Sequence, residues 1–250
     1  MEAQQYNMDT ISNNLANVNT QGFKSNQARF QDLVYQQIQA PGAPVGASIV
    51  PVGQQVGLGV KVSDSEKVFT QGSLVQTSNN LDVAVEGDGF FQITLPDGTL
   101  AYTRDGSFTL DNQGNVVTAS GYPLQPAINI PAGTQSLTIG SDGTVTAVTA
   151  AAPNGSKIGQ IQIADFINEE GLQPTGNNLL VESAASGAPQ VGTAGTNGLG
   201  TISQGALETS NVNSVTELVS MIECQRSYEM NSKAISTTDQ MMQFLTTNLS

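Results

Sequence analysis

The sequence predicts an α+β protein, with a discontinuous, coiled-coil-like helical base built from both termini and an antiparallel β-rich middle domain. Apolar residues recur every seven positions near each end of the 250-residue chain, which predicts the base. Between them, short apolar segments are separated by Asp-Gly and other Gly-rich turns, which predicts the β domain. The predicted boundaries are 1–38 and 205–250 for the base, 39–59 for a Pro/Gly/Val-rich extended segment, and 60–204 for the β-rich domain.

The C-terminal helix is predicted to begin at a capping box, Ser214-Val-Thr-Glu217, whose two end residues satisfy early backbone N–H groups. Neither Pro nor Gly follows it in the sequence. One apolar stripe is formed by Met221, Tyr228, Ile235, Met242 and Leu249. The positions three before the last four of these are polar, so the helix is poorly stable alone and favours packing among other helices. The alternative is an amphipathic helix on the core of its own domain.

A matching helix is predicted at the start of the chain. Its heptad series is Met1, Met8 and Leu15, with Gln4, Ile11 and Val18 at the complementary positions. It is predicted to end near Gly22, which suits the left-handed conformation after a helix, with Phe23 supplying an apolar contact. Self-assembly contacts are predicted at Met8, Ile11, Leu15, Val18, Met221, Tyr228, Ile235 and Met242, with interfacial hydrogen bonds from Asn13, Asn14 and Asn17.

The stretch that follows the first helix changes character twice. From Ala28 to Ile38 the apolar spacing fits a helix and an extended strand equally well. From Gln39 to Gly59 prolines and glycines alternate with valines, so little regular core is expected there. Two interpretations stay open for this segment, a flexible spacer and an extended segment docked on another surface.

Three hairpins are predicted within the β-rich domain. Phe90–Leu95 and Leu100–Tyr102 flank a Pro-Asp-Gly turn, which is typical of a hairpin. The other two hairpins join Phe108–Leu110 to Val116–Val117, and Leu137–Ile139 to Val145. Further strands are predicted at Ile158–Ile163 and Leu179–Val181, and the spacing suggests an antiparallel sandwich or a barrel-like domain.

Charge and composition exclude several function classes. The formal net charge is −13, which argues against binding to nucleic acid or to an anionic membrane surface. No apolar run is long enough to span a bilayer, and no basic and apolar leader begins the chain. The single cysteine, Cys224, excludes an intrachain disulfide and is interpreted as a small buried helix residue.

The chain offers little material for catalysis, and no cofactor or metal ion is expected. It contains no His, which removes Ser/His/Asp and Cys/His sites and most zinc sites. A pair of carboxylates acting as in glycosidases is formally possible. However, Asp88, Asp97, Asp105 and Asp142 each precede a Gly, so turns are the favoured interpretation over catalysis.

Both ends of the chain carry motifs of one family. The N-terminal motif is Ile11-Ser-Asn-Asn-Leu-Ala-Asn-Val-Asn-Thr-Gln-Gly-Phe-Lys24. The C-terminal motifs run from Glu208 to Leu218 and from Met221 to Met241, and the middle adds Gly87-Asp-Gly-Phe-Phe91 and Tyr102-Thr-Arg-Asp-Gly-Ser-Phe108. Over nearly its whole length, the sequence resembles the bacterial flagellar rod and hook proteins. Members carry about ten further residues before the first helix, so the chain is expected to start within it.

The resemblance implies a structural subunit that self-assembles into a helical tube, the distal rod or drive shaft of the flagellar basal body. The implied partners are copies of the same chain, proximal rod proteins, hook protein and surrounding ring proteins, with no nucleic acid and no membrane insertion. The implied location is the periplasmic rod, reached through type III export without a cleaved signal peptide. Two alternatives are kept: a hook protein, and a secreted acidic β-domain hydrolase acting on cell wall.

Overall fold

The computed structural model describes residues 1–40, 44–45, 48–49, 52–150 and 152–248. The chain divides into two compact units. Unit 1 is Met1–Leu15, Asn26–Glu66 and Ser214–Ser250, and unit 2 is Ala16–Ser25 and Lys67–Asn213. Each unit therefore combines segments that lie far apart in the sequence. Helices and antiparallel strands together make this an α+β protein, as the sequence predicts.

Unit 1 contains both α-helices of the described residues and a paired set of strands. The helices are α1 (Glu2–Ala16) and α2 (Ser214–Asn248). The strands are β1 (Asn26–Asp32), β2 (Tyr35–Gln39), β3 (Pro44–Val45), β4 (Ser48–Ile49), β5 (Gln54–Gly57) and β6 (Val60–Lys67). They pair in a nested order, β1 with β6, β2 with β5 and β3 with β4. A hydrogen bond of 2.8 Å from Leu33 N to Gly59 O joins the first two pairs, so β1, β2, β5 and β6 form one two-stranded ribbon.

The ribbon differs from the helical base predicted for residues 1–38. α1 ends at Ala16 and β1 begins at Asn26, so the extended interpretation is the correct one after Lys24. Gly22 has φ +64°, the left-handed conformation predicted for it, but it follows a turn rather than the last helical residue. In the predicted irregular segment 39–59, the strands β3 to β5 pair instead, which satisfies their backbone groups. Residues 41–43, 46–47 and 50–51 of that segment lie outside the described residues, as does Leu249 of the predicted stripe.

Unit 2 is built almost entirely of strands. In chain order they are β7 (Leu74–Gln76), β8 (Val83–Glu86), β9 (Phe90–Thr94), β10 (Leu100–Thr103), β11 (Thr109–Leu110), β12 (Val116–Val117), β13 (Leu124–Gln125), β14 (Thr134–Ile139), β15 (Thr144–Thr149), β16 (Ala152–Gln160), β17 (Gln162–Asp165), β18 (Gln173–Gly176), β19 (Leu179–Val181), β20 (Gln190–Thr193), β21 (Thr201–Gln204) and β22 (Ala206–Glu208). One short 3-10 helix, Glu169–Gly171, lies between β17 and β18.

The largest sheet of the described residues has the order β18-β19-β10-β9-β17-β20, with β13 also pairing with β9. A three-stranded sheet has the order β14-β15-β16. In addition, β8 pairs with β21, and β7 pairs with β22. The three predicted hairpins are confirmed as β9–β10, β11–β12 and β14–β15. In the first of these, Tyr102 lies opposite Gln92, and Gly98 takes the positive φ that the turn requires.

Strand β9 lies at the centre of the core and is buried on both faces. Successive side chains of a strand point to opposite faces, so Phe90 and Phe91 enter different hydrophobic clusters. Phe91 packs edge-to-face on Phe108, with ring centroids 5.2 Å apart. On the other face, Phe90 contacts Phe69 and Phe166 in the same geometry. This packing explains the near-continuous apolar character of the segment around β9.

Gly106 is expected to tolerate no side chain. A Cβ atom built there lies 1.5 Å from the carbonyl oxygen of Val83, the first residue of β8. Gly106→Ala must therefore displace β8 backbone, and we expect the free energy of unfolding of unit 2 to fall by about 3 kcal/mol or more. The matched control is Gly98→Ala, where a positive φ costs about 1 kcal/mol and the space is open. Urea denaturation of both variants measures the difference, and equal losses would contradict the clash.

Candidate assembly interface

Helix α1 packs against the first part of α2 in antiparallel orientation. Near the end of α1, Asn14 Nδ2 donates to Glu217 Oε1 at 3.2 Å. Near its start, the Sγ atom of Cys224 lies 3.2 Å from the backbone oxygen of Gln4. The contact near the start of α1 thus lies further toward the C-terminus of α2 than the contact near the end of α1, so the two helices run antiparallel. The contacts between the two helices involve the first three turns of α2, and the coiled-coil-like base stays a prediction.

Asn14 is the polar centre of this helix pair. Its Oδ1 accepts from the backbone N–H of Asn26, and its Nδ2 donates to the backbone oxygen of Asn26, both at 2.8 Å. Because Asn26 opens β1, the side chain of Asn14 fixes the beginning of the ribbon to α1. The amide of Asn14 is thus engaged inside the chain, and the interfacial hydrogen bond expected of it stays a prediction. An Ala at this position would leave the Asn26 N–H and C=O without these partners.

Beyond Cys224 the side chains of α2 are almost all exposed. Tyr228, Ile235 and Met242, three members of the predicted stripe, are exposed, Ile235 by 52% and Met242 by 62%. Met230 and Met241 are also exposed, by 65% and 69%. A helix rises 1.5 Å per residue, so residues 225–247 extend for about 35 Å. Large apolar side chains exposed along such a length mark a surface that another molecule covers.

Exposed apolar residues are spread widely around α2. At 100° per residue, Tyr228, Ile235 and Met242 fall close to one line, Met230 and Met241 fall about 120° to 140° away from it, and Phe244 lies on the opposite side. A helix that buries one stripe on its own domain would show a single apolar face. The seven-residue series therefore accounts for only part of the apolar surface that α2 leaves exposed.

The predicted interface residues separate into two groups. Those buried or half-buried in the described chain are Met8, Ile11, Asn14, Leu15, Asn17, Val18 and Met221. Those exposed are Asn13, Tyr228, Ile235 and Met242. The first group lies mainly where α1 and α2 pack within the chain. The second group lies mainly on the exposed part of α2. For the residues of both groups, contact with a second copy stays a prediction.

The ribbon carries a second exposed apolar surface, which the heptad pattern does not reveal. Gln36 lies opposite Val56, so Val56 and Ile38 share one face, and both are exposed. On the other face, the ring of Tyr35 lies over Gly57. Val34 is 80% exposed. A two-stranded ribbon is marginally stable in water by itself, so this exposure favours a covering partner.

The aspartates that precede glycines serve as turn residues, as the sequence predicts. Asp97 accepts the backbone N–H and the hydroxyl of Thr99, and Asp142 does the same with Thr144. The hydroxyl and backbone N–H of Thr99 hold the pKa of Asp97 below its ordinary value. The backbone N–H and hydroxyl of Thr144 lower the pKa of Asp142 in the same way. A carboxyl acting as a general acid needs a raised pKa, so these groups are unsuited to glycoside hydrolysis.

The described residues form neither a metal-binding cluster nor a membrane-spanning helix. No group of three or more His, Cys, Asp or Glu residues among them is arranged to hold a metal ion. None of the helices they form is long and apolar enough to cross a membrane.

Three family models match separate parts of the chain. Residues 1–24 match a flagella basal body rod protein model, residues 84–147 match the flagellar hook protein FlgE/F/G D1 domain, and residues 203–249 match the flagellar basal body rod FlgEFG protein C-terminal model. The matched ranges include α1, the central strand β9 and all of α2.

Curated relatives match almost the whole chain. The flagellar basal-body rod protein FlgG of Buchnera aphidicola subsp. Acyrthosiphon pisum is 49% identical over 98% of this chain and 95% of its own length. Its counterpart in Agrobacterium fabrum is 46% identical over 100% of this chain and 96% of its own length. The protein of the same name in Bacillus subtilis is 42% identical over 96% of this chain and 92% of its own length.

Proposed function

The chain belongs to the FlgE/F/G family of flagellar rod and hook proteins, as a structural rod subunit and not an enzyme, and on this basis we propose how it assembles. Copies of the chain pack through their terminal helices into a helical tube, the distal rod. The tube transmits torque toward the hook, and unit 2 supplies the acidic, β-rich part of each subunit.

The exposed part of α2 carries this proposal. An isolated helix gains little stability from its own hydrogen bonds, and most helical stability in proteins comes from packing an apolar face. Here that face is solvent-exposed from Tyr228 to Met242. Exposed apolar residues lie on more than one side of the helix, so a single neighbour would leave part of them uncovered. A tube covers more than one side, because every subunit has neighbours on both sides around the wall.

The ribbon favours a role as rod subunit over a role as hook protein. A drive shaft must resist bending, and bending requires neighbouring subunits to slide along each other as the tube turns. An extended ribbon with exposed apolar residues at Val34, Ile38 and Val56 can lie across the next copy and oppose that sliding. A flexible spacer would instead be expected to lack paired strands, whereas β2 and β5 pair through four residues each.

The partners follow from membership in this family. The chain takes its place in the flagellar basal body together with other rod and hook proteins. We extend the proposal to contacts with proximal rod proteins on one side, hook protein on the other and ring proteins around the tube. The proposed location is the periplasmic part of the rod, reached by type III export without a cleaved signal peptide. The hydrolase alternative is dropped, because the family is structural.

Hydrogen exchange before and after assembly tests the proposal. In a verified monomer, amides from Gln225 to Met242 are expected to exchange rapidly, because the exposed part of α2 lacks the packing that stabilises helices. In tubes confirmed by electron microscopy, the same amides are expected to become strongly protected. Amides of β9 in the core of unit 2 provide the control and should be protected in both states. Strong protection of residues 225–242 in the monomer would contradict the proposal.

A further inference from the structure

Three distant parts of the chain meet inside unit 2. We name residues 16–25, which follow α1, the N-connector, and residues 206–213, which precede α2, the C-connector. The backbone N–H of Gly22 donates to the backbone oxygen of Glu208 at 2.9 Å. The backbone N–H of Ser25 donates to Asn211 Oδ1 at 2.8 Å. The Nδ2 of Asn211 donates to the oxygen of Val68 at 2.8 Å, which adds residues 68–73 as the third part.

The carboxylate of Glu208 lies at the centre of this meeting point. Its Oε1 accepts from Lys24 Nζ at 2.7 Å and from the backbone N–H of Gly72 at 2.8 Å. Its Oε2 lies 3.7 Å from Arg104 Nη1 and makes no hydrogen bond within the described residues. The side chains of Lys24, Arg104 and Glu208 are exposed by only 3%, 2% and 0%. Glu208 is thus the carboxylate that contacts both buried cations, and Glu169 adds a weaker electrostatic attraction to each of them.

Arg104 is held in place by further contacts. Its Nη1 donates to the oxygen of Gly87 at 2.8 Å, and its guanidinium lies 5.0 Å from the ring centroid of Phe90. Its backbone also limits the N-connector, because a Cβ at Gly22 would lie 2.7 Å from the Arg104 carbonyl carbon. The close approach at Gly22 therefore depends on the position of the Arg104 backbone, directly after β10.

The charge balance makes Glu208 the critical member of the cluster. Burial and the nearby Arg104 guanidinium lower the pKa of Lys24, whereas Glu208 and, more weakly, Glu169 raise it. Removing one partner of a buried ion pair is strongly destabilising, because the other charge stays buried without compensation. Without Glu208, the two buried cations would lose their contacting carboxylate and keep only the weaker attraction of Glu169, and exposing Lys24 to water is the simplest way to relieve their repulsion.

We propose that Lys24, Arg104 and Glu208 form a charge latch that closes the N-connector and the C-connector against each other, so that neither connector stays docked without the other. The latch joins residues 184 positions apart, so it can close only when both connectors have folded onto unit 2. The proposal concerns the single folded chain and does not rest on self-assembly.

Trypsin cleavage after Lys24 tests the latch in the full-length chain. Proteolysis of a transiently opened segment follows the population of the open form. We expect Glu208→Gln to raise the rate of cleavage between Lys24 and Ser25 at least tenfold. Hydrogen exchange at the amides of Gly22, Ser25 and Gly72 should accelerate in parallel. Cleavage after the exposed Lys61 should change little and provides an internal reference.

The matched control is Glu86→Gln, the same change at an exposed carboxylate of unit 2. It should leave both measurements unchanged. If Glu208→Gln unfolds all of unit 2, a second variant, Lys24→Met, keeps the proposal testable. Hydrogen exchange at the amides of Gly22 and Ser25 is measured in this variant. Lys24→Met removes one buried cation but leaves Glu208 paired with Gly72, so acceleration limited to the connectors is expected. Unchanged exchange in either folded variant, or equal acceleration throughout β9 and β10 in Lys24→Met, would overturn the proposal.

Discussion

Ile235→Asp is expected to raise the protein concentration needed for tube assembly at least ~100-fold. Ile235 lies in the middle of the exposed part of α2, between Tyr228 and Met242 on the same line. A carboxylate placed there must be desolvated at each helix contact without a partner, which costs about 3 kcal/mol or more. That cost corresponds to roughly a hundredfold loss in association constant. Sedimentation of assembled protein over a concentration series measures the change.

The thermal transition of unit 2 should be unaffected by Ile235→Asp, because the residue belongs to unit 1. The control is Ile167→Asp, the same substitution at an 84% exposed residue of unit 2. That variant should assemble at the wild-type concentration. Met230→Asp tests another side of α2, away from Ile235, and we expect it to impair assembly as well. Tubes formed by Ile235→Asp at the wild-type concentration would show that this line is not a subunit contact.

Deleting residues 43–57 is expected to give tubes that assemble but curve or flex. The deletion removes β5 and leaves β2 without its paired strand, while β1 and β6 stay paired at the base of the ribbon. If the ribbon lies across the next copy, its loss permits the sliding that bending requires. Filament curvature in electron micrographs measures the effect, and we expect a persistence length several times shorter than that of the wild type.

A second variant distinguishes ribbon length from ribbon contact. Replacing Val34, Ile38 and Val56 with Thr keeps the strands, because Thr favours extended structure, but removes much of the exposed apolar surface. Loss of stiffness in this variant would assign the effect to apolar contact with a neighbour. Straight tubes of unchanged persistence length after the deletion would show that the segment is only a spacer between the helix and the strands that follow.

Several features were predictable from local sequence signals. The helix α2 begins at Ser214, within one residue of the start that the predicted capping box gives. The hairpin β9–β10 depends on Asp97 and Gly98, whose conformations satisfy the turn by themselves. The turn role of Asp142 was predictable for the same reason. These signals act within a few residues, so no knowledge of the rest of the chain is needed.

Other features were beyond the sequence pattern. Apolar spacing between Ala28 and Ile38 fits helix and strand alike, and only pairing with residues up to Lys67 selects the strand. Asn14 shows the same limit, because an amide that suits a subunit interface equally suits the backbone of Asn26. The exposed apolar surface of α2 was also not predictable, since the spacing of apolar residues does not distinguish a covered face from an exposed one.

The sequence by itself therefore determined the class of the protein, the turn chemistry of its strands and the apolar series of its terminal helices. The tertiary structure decided which of these residues are used within the chain and which are left for a partner. It alone brought Lys24 to Glu208, across 184 positions. The physical reason is that a buried charge is stabilised only by what surrounds it in space, and neither periodicity nor turn residues carry that information.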